Sequence, residues 1–126
     1  MVALNLWAAW IGILAGMVSG AAMGMFFHEE TWLGGYDSWA RRLVRLGHIS
    51  FFGLAFLNLA FAATLKLGGE VRGDRAASWL LIAGAALMPT VCALAAWKKP
   101  LRHLFFLPVG SLVGAVVALL HGGFQS

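Results

Sequence analysis

Residues 4–27 read LNLWAAWIGILAGMVSGAAMGMFF and contain no Asp, Glu, Lys or Arg. Glycine occupies every fourth position in this stretch, at Gly12, Gly16, Gly20 and Gly24. In a water-exposed helix each of these glycines would cost about 1 kcal/mol relative to alanine. In a bilayer, small residues at this spacing let another backbone or a flat ligand approach closely. The stretch therefore predicts a transmembrane helix with a closely packed face.

The composition of the whole chain also indicates a membrane location. The chain has 126 residues, of which 61% are hydrophobic, and its mean hydropathy is +0.84. Only 11% of the residues are charged, whereas a typical soluble domain has about 25%. We therefore expect a single integral membrane domain, residues 1–126, whose first partner is the lipid bilayer. The net charge of +4 comes from short basic clusters between apolar stretches, which indicates orientation in a membrane and no nucleic-acid partner.

Three further uncharged stretches come close to the roughly 20 residues that cross a hydrocarbon core. They cover residues 46–65, 79–97 and 104–120. Because unpaired backbone groups are costly in lipid, such stretches form helices. The sequence predicts an all-α, integral membrane four-helix bundle in up-down-up-down order, with both termini on the same side. The predicted spans are about 4–27, 43–66, 76–97 and 101–121.

The distribution of Lys and Arg predicts the orientation. One face has six basic residues, and the other has only Lys66, Arg72 and Arg75. The positive-inside rule then places loops 28–45 and 98–102 in the cytoplasm of a bacterial inner membrane, with the termini outside. Residues 28–40 are predicted to form an interfacial loop, in which Asp37 or Ser38 caps the second helix. We expect the carboxylates of Glu29 and Glu30 to pair with the nearby residues Arg41, Arg42 and Arg45.

Small residues also recur in the last span, where Gly110, Gly114, Ala118 and Gly122 are four residues apart. Both small-residue stripes favour close helix packing, within this bundle, against a copy of it, or against a partner subunit. Alternatively, one stripe makes room for a planar cofactor. Asn58 lies in the middle of the second span, and its amide is expected to bond across a helix interface, or to contact a ligand.

Three histidines, His28, His48 and His103, map to the cytoplasmic leaflet. In a closed bundle the second and fourth helices are diagonal, about 12–14 Å apart given neighbour spacings of 8–10 Å. That gap would let His48 and His103 hold haem b, with His28 as an alternative ligand. The other interpretations are interfacial polar side chains, or a non-haem metal site that uses His28, Glu29 or Glu30 with His48. No compact metal-binding motif supports the metal site.

The predicted function depends on which polar and charged side chains the spans contain. No serine in a span has a paired base and acid, and no span has the buried charge typical of an ion path. The sequence favours a small non-enzymatic subunit of a larger membrane assembly, of respiratory or photosynthetic type, or a homo-oligomer. The alternative is a redox subunit that binds b-type haem or quinone through His48 and His103. A third interpretation is binding of a lipid or small hydrophobic ligand between helices kinked at Pro89 and Pro108.

Overall fold

The computed structural model describes residues 1–69 and 71–123, which are 87% helical and contain no strand. The α-helices are α1 (Val2–Phe26), α2 (Trp39–Gly68), α3 (Asp74–Trp97) and α4 (Phe106–Gly122). Two 3₁₀ helices, Trp32–Gly34 and Lys99–Phe105, precede α2 and α4. Counting Lys99–Phe105 with α4, the described residues include four helices that are long and apolar enough to cross a membrane. The prediction of an all-α fold with four helices of this kind is confirmed.

The helix boundaries reflect local chemistry. Ser38 is the N-cap of α2, as expected, because its Oγ accepts the Arg41 N–H at 3.1 Å. Residues 99–105 form a 3₁₀ helix, so the span predicted at 101–121 is α-helical only from Phe106. Pro108 has no N–H to donate to the Leu104 carbonyl, and this favours a change of helix type just before it.

The glycine face of α1 packs directly on α2. The positions that a Cβ would take lie 3.0 Å from Ala55 at Gly12, 2.6 Å from Phe52 at Gly16 and 2.7 Å from His48 at Gly20. Residue numbers rise along α1 while they fall along α2, so this pair is antiparallel. The contacts are too close for any side chain larger than hydrogen without movement of the neighbour.

The buried core lies around α3. One cluster, Phe61, Ala77, Leu81 and Ala115, joins α2, α3 and α4. α1 packs mainly on α2 and touches α3 at few points, whereas α4 packs on α3. In the described part of the chain, α1 and α4 form no extended interface, which differs from the closed bundle assumed for the histidines. The result is an open arrangement, with a gap between α1 and α3 over the surface of α2.

Two side chains at the start of α2 cap the ends of the neighbouring helices. The Arg41 guanidinium, 2% exposed, donates to the Phe27 carbonyl at 2.9 Å and lies 4.6 Å from the Phe27 ring centroid. The Trp39 Nε1 donates to the Ala95 carbonyl at 2.7 Å. Carbonyls in the last turn of a helix have no partner within the helix, so both bonds satisfy groups that would otherwise be unpaired.

The predicted pairing of the Glu29 and Glu30 carboxylates with arginine is wrong. Arg41 instead donates to the backbone carbonyls of both residues, at 3.5 Å each. Within residues 1–69 and 71–123 the one side-chain contact at ion-pair distance joins His28 Nε2 and Glu29 Oε1, at 4.0 Å. The helix end supplies several converging carbonyl oxygens and a negative dipole end, which together hold the guanidinium without a carboxylate.

Candidate functional site

The gap between α1 and α3 is a groove of about 930 Å³ whose floor is α2. On α1 it extends from Leu4 to Met23, which is about 28 Å at the helical rise of 1.5 Å per residue. This length matches the hydrocarbon core of a bilayer, about 30 Å. The walls are almost entirely apolar, and many of their residues are small, such as Ala15 on α1 and Ala86 on α3. The groove is therefore suited to a long apolar molecule.

Three lining residues, Ser19, His48 and Thr90, bear a hydroxyl or an imidazole. Thr90 Oγ1 donates to the Ala86 carbonyl of its own helix at 2.7 Å, so its proton is already used. Ser19 Oγ lies 2.9 Å from His48 Nδ1 and also donates to the Gly16 carbonyl at 3.0 Å. His48 Nε2 makes no hydrogen bond to any described residue, which makes it the free polar atom of this trio.

The imidazole of His48 is fixed from two sides. A Cβ at Gly20 would lie 2.7 Å from His48 Cε1, so the ring occupies the space left by the missing side chain. The Phe52 ring meets it edge-on, with centroids 5.5 Å apart. The glycine spacing in α1 thus creates the space that the His48 ring occupies. Ser19 sets the orientation of that ring.

The other histidines proposed as ligands lie elsewhere. The His28 side chain is 73% exposed, beside Glu29. His103 is exposed on the 3₁₀ helix before α4, and neither His28 nor His103 lines the groove with His48. Across residues 1–69 and 71–123, no three His, Cys, Asp or Glu side chains are grouped so as to hold a metal ion. Of the predicted ligands, the groove contains His48 alone.

The two small-residue stripes differ in their surroundings. Gly12, Gly16 and Gly20 are covered by α2, but a Cβ at Gly24 would meet open space. On α4, Gly110 also faces open space and Gly114 is in ordinary contact with Leu80. The end of that stripe is packed more closely: Gly122 lies against the Arg72 carbonyl, and the Ala118 carbonyl approaches Gly73.

A buried polar network ties three helices together beside the groove. Asn5 Nδ2 donates to Asn58 Oδ1 at 2.7 Å, and Ser78 Oγ donates to Asn5 Oδ1. Asn58 Nδ2 donates to the Leu54 carbonyl at 2.9 Å, and all three side chains are fully buried. Asn58 was expected to bond across a helix interface or to contact a ligand, whereas the roles of Asn5 and Ser78 were not predicted from the sequence. Asn5 shares a helix face with Ala9, Gly12 and Gly16, a spacing from which its burial could have been recognised.

The chain matches no protein-family model, no curated protein and no solved structure. The chemistry of the groove is therefore the basis for a functional assignment. Its side chains offer a long apolar wall and one oriented imidazole, which are features suited to binding.

Proposed function

We propose that this chain is a small integral membrane subunit that binds a lipid-soluble molecule in the groove between α1 and α3. One observation carries the proposal: an apolar groove as long as the bilayer core that contains a single oriented imidazole, His48. Its volume, about 930 Å³, falls within the roughly 300–1,000 Å³ of small-molecule sites. Such sites combine mostly apolar walls with a few placed polar groups.

The charge of the groove restricts the chemical class of its ligand. Among the described residues that line the groove there is no Lys, Arg, Asp or Glu. A charged head placed there would lose its hydration without gaining a partner, which is costly. The ligand that fits best is therefore a neutral molecule with a long apolar part.

Photolabelling with a hexadecyl diazirine tests the proposal, because mass spectrometry can map the labelled residues. In nanodiscs, labelling of groove residues should be saturable by excess unlabelled hexadecyl competitor, whereas labelling of lipid-facing residues should not be. Ala86→Phe fills the groove from α3 and should remove the saturable part. The matched control is Ala83→Phe, since Ala83 is exposed on the same helix but does not line the groove. Uniform, non-saturable labelling of the wild-type protein would refute a binding groove.

The arrangement across the membrane is part of the same proposal. The helices cross the bilayer in up-down-up-down order, with loops 28–45 and 98–102 in the cytoplasm and both termini outside. The antiparallel contacts of α1 with α2 support this order. The larger number of Lys and Arg at one end supports the sidedness.

A second function, packing within a larger membrane assembly or a homo-oligomer, is favoured by the outer face of α4. That face includes Gly110, whose surroundings are open, and the exposed residues Val113 and Val117. Blue-native electrophoresis tests this function. Gly110→Leu should reduce the apparent mass by displacing a close partner, whereas Gly53→Leu, also at an open position, should not. A monomer for wild type would exclude stable assembly under those conditions.

A further inference from the structure

We infer that the ligand of the groove is an isoprenoid hydroquinone, whose phenolic O–H donates a hydrogen bond to His48 Nε2. This inference rests on the proposed function, and it adds the chemical class and redox form of the ligand. No reaction of the bound hydroquinone is proposed.

The protonation pattern of His48 follows from counting hydrogen bonds. Ser19 has a single hydroxyl proton, and its Oγ lies within bonding distance of both the Gly16 carbonyl and His48 Nδ1. If Ser19 donates to the carbonyl, a neutral His48 can donate from Nδ1 to Ser19, and both bonds form. If Ser19 donates to Nδ1, the bond to Gly16 is lost. The first pattern makes one more bond, worth about 0.5–1.5 kcal/mol, and leaves Nε2 as an acceptor.

If Nε2 is an acceptor, it can form a hydrogen bond only with a ligand group that donates a proton. A hydroquinone carries such a donor, and its oxidised quinone, which has only carbonyl oxygens, does not. The absence of Lys and Arg from the described lining residues disfavours carboxylate and phosphate heads, including the propionates of haem. Ala93, a small and exposed residue of α3, also lines the groove and leaves room for a flat ring.

The position of the imidazole fits a head-and-tail molecule. Ser19 and His48 lie towards the arginine-rich end of the bundle, and the groove continues to Leu4 at its other end. From Ser19 to Leu4 the helical rise gives about 22 Å of apolar groove. A ring beside His48 would therefore place its prenyl tail along Ala15 and Ile11 towards Trp7.

The test is a competition against the hexadecyl diazirine, with anaerobic wild-type protein in nanodiscs. The competitors share one decyl tail and carry a hydroquinone, a quinone or the O,O-dimethyl ether of the hydroquinone. The hydroquinone should compete about 3–10-fold better than the other two, the equivalent of one neutral hydrogen bond. His48→Phe should abolish this difference while saturable labelling by the alkyl probe persists, which shows that the variant is folded. Ser19→Ala should shrink the preference, because Nδ1 then loses its fixed partner.

Each contrary outcome separates the two proposals. Equal competition by all three heads, with labelling still saturable, overturns the hydroquinone and leaves a general apolar groove. Stronger competition by the quinone means that Nε2 is a donor, which also overturns it. A Soret band that His48→Phe abolishes and His103→Ala leaves intact identifies haem as the occupant instead. If labelling of the wild-type protein is not saturable at all, the proposal that the groove binds a ligand is wrong.

Discussion

The side-chain amide of Asn5 donates to Asn58 Oδ1 at 2.7 Å, and neither side chain has exposed surface. Ser78 completes the link by donating to Asn5, so one polar cluster joins α1, α2 and α3. In the described part of the chain, Arg41 Nε is the one buried side-chain polar atom without a partner, so the cluster is fully paired. This pairing fixes the distance between the helices that form the groove.

Removing one member of this network should destabilise the bundle through the partner left behind. Asn58→Ala leaves the Asn5 amide unpaired and should lower the unfolding free energy by about 1–3 kcal/mol. Asn5→Ala with Asn58→Ala should cost less than the sum of the single changes, with a coupling of about 0.6–2 kcal/mol. Unfolding titrations in mixed micelles measure both quantities. Strict additivity would mean that the two amides do not interact.

The contact of α1 with α2 yields a matched pair of glycine substitutions. Gly16→Leu forces a side chain into the Phe52 ring and should destabilise the protein by about 1–3 kcal/mol. Gly24→Leu enters open space and should not destabilise the protein, because leucine is a better helix former than glycine. Thermal unfolding in detergent, followed by circular dichroism, compares the two. Equal destabilisation by the two changes would mean that the contact with Phe52 is not what restricts position 16.

The helices and the glycine face of α1 could be predicted from the sequence because the relevant signals are local. Apolar length defines a membrane helix, and the four-residue spacing defines its close-packed stripe. The open arrangement could not be predicted in the same way. Surfaces that face lipid and surfaces that face helices are both apolar, so the pattern does not say which helix pairs are in contact.

Prediction of the candidate site from the sequence is limited in the same way. His48, His103 and His28 all map to the same end of the spans, although only His48 lies inside an uncharged stretch. The rotation of α2 about its axis makes His48 face α1 and line the groove, whereas His103 lies on the 3₁₀ helix before α4 and is exposed. Arg41 was expected to pair with the carboxylates of Glu29 and Glu30, but the carbonyls at the end of α1 and the surrounding aromatic rings bury it.

The proposed orientation can be tested by labelling single introduced cysteines. Arg72 and Lys99 are both exposed and lie at opposite ends of the bundle, and Cys92 is fully buried. A membrane-impermeant maleimide should label Arg72→Cys in intact cells, and Lys99→Cys only after permeabilisation. Wild type should stay unlabelled and serves as the control. The reverse pattern would invert the assigned sidedness. Labelling of both variants in intact cells would place residues 72 and 99 on the same side and would exclude the single crossing by α3.

Arg41 should control the order of the loop that follows α1. Its guanidinium donates to the carbonyls of Phe27, Glu29 and Glu30, and lysine cannot reproduce that planar fork. Arg41→Met leaves these carbonyls without the cation and should lower the unfolding free energy by about 1–3 kcal/mol. A glutamate-specific protease should then cut after Glu29 or Glu30 faster than in wild type, with Arg41→Lys intermediate.

The control for this prediction is Arg42→Met. Arg42 is exposed beside Arg41, and its substitution removes the same charge. It should leave the cleavage rate unchanged, since no carbonyl of the loop depends on it. Fragment masses identify cuts in this loop and separate them from cuts elsewhere. Equal acceleration in the two variants would show that net charge at this end, rather than the bonds of Arg41, orders the loop. Acceleration in Arg41→Met alone would assign the effect to the buried guanidinium.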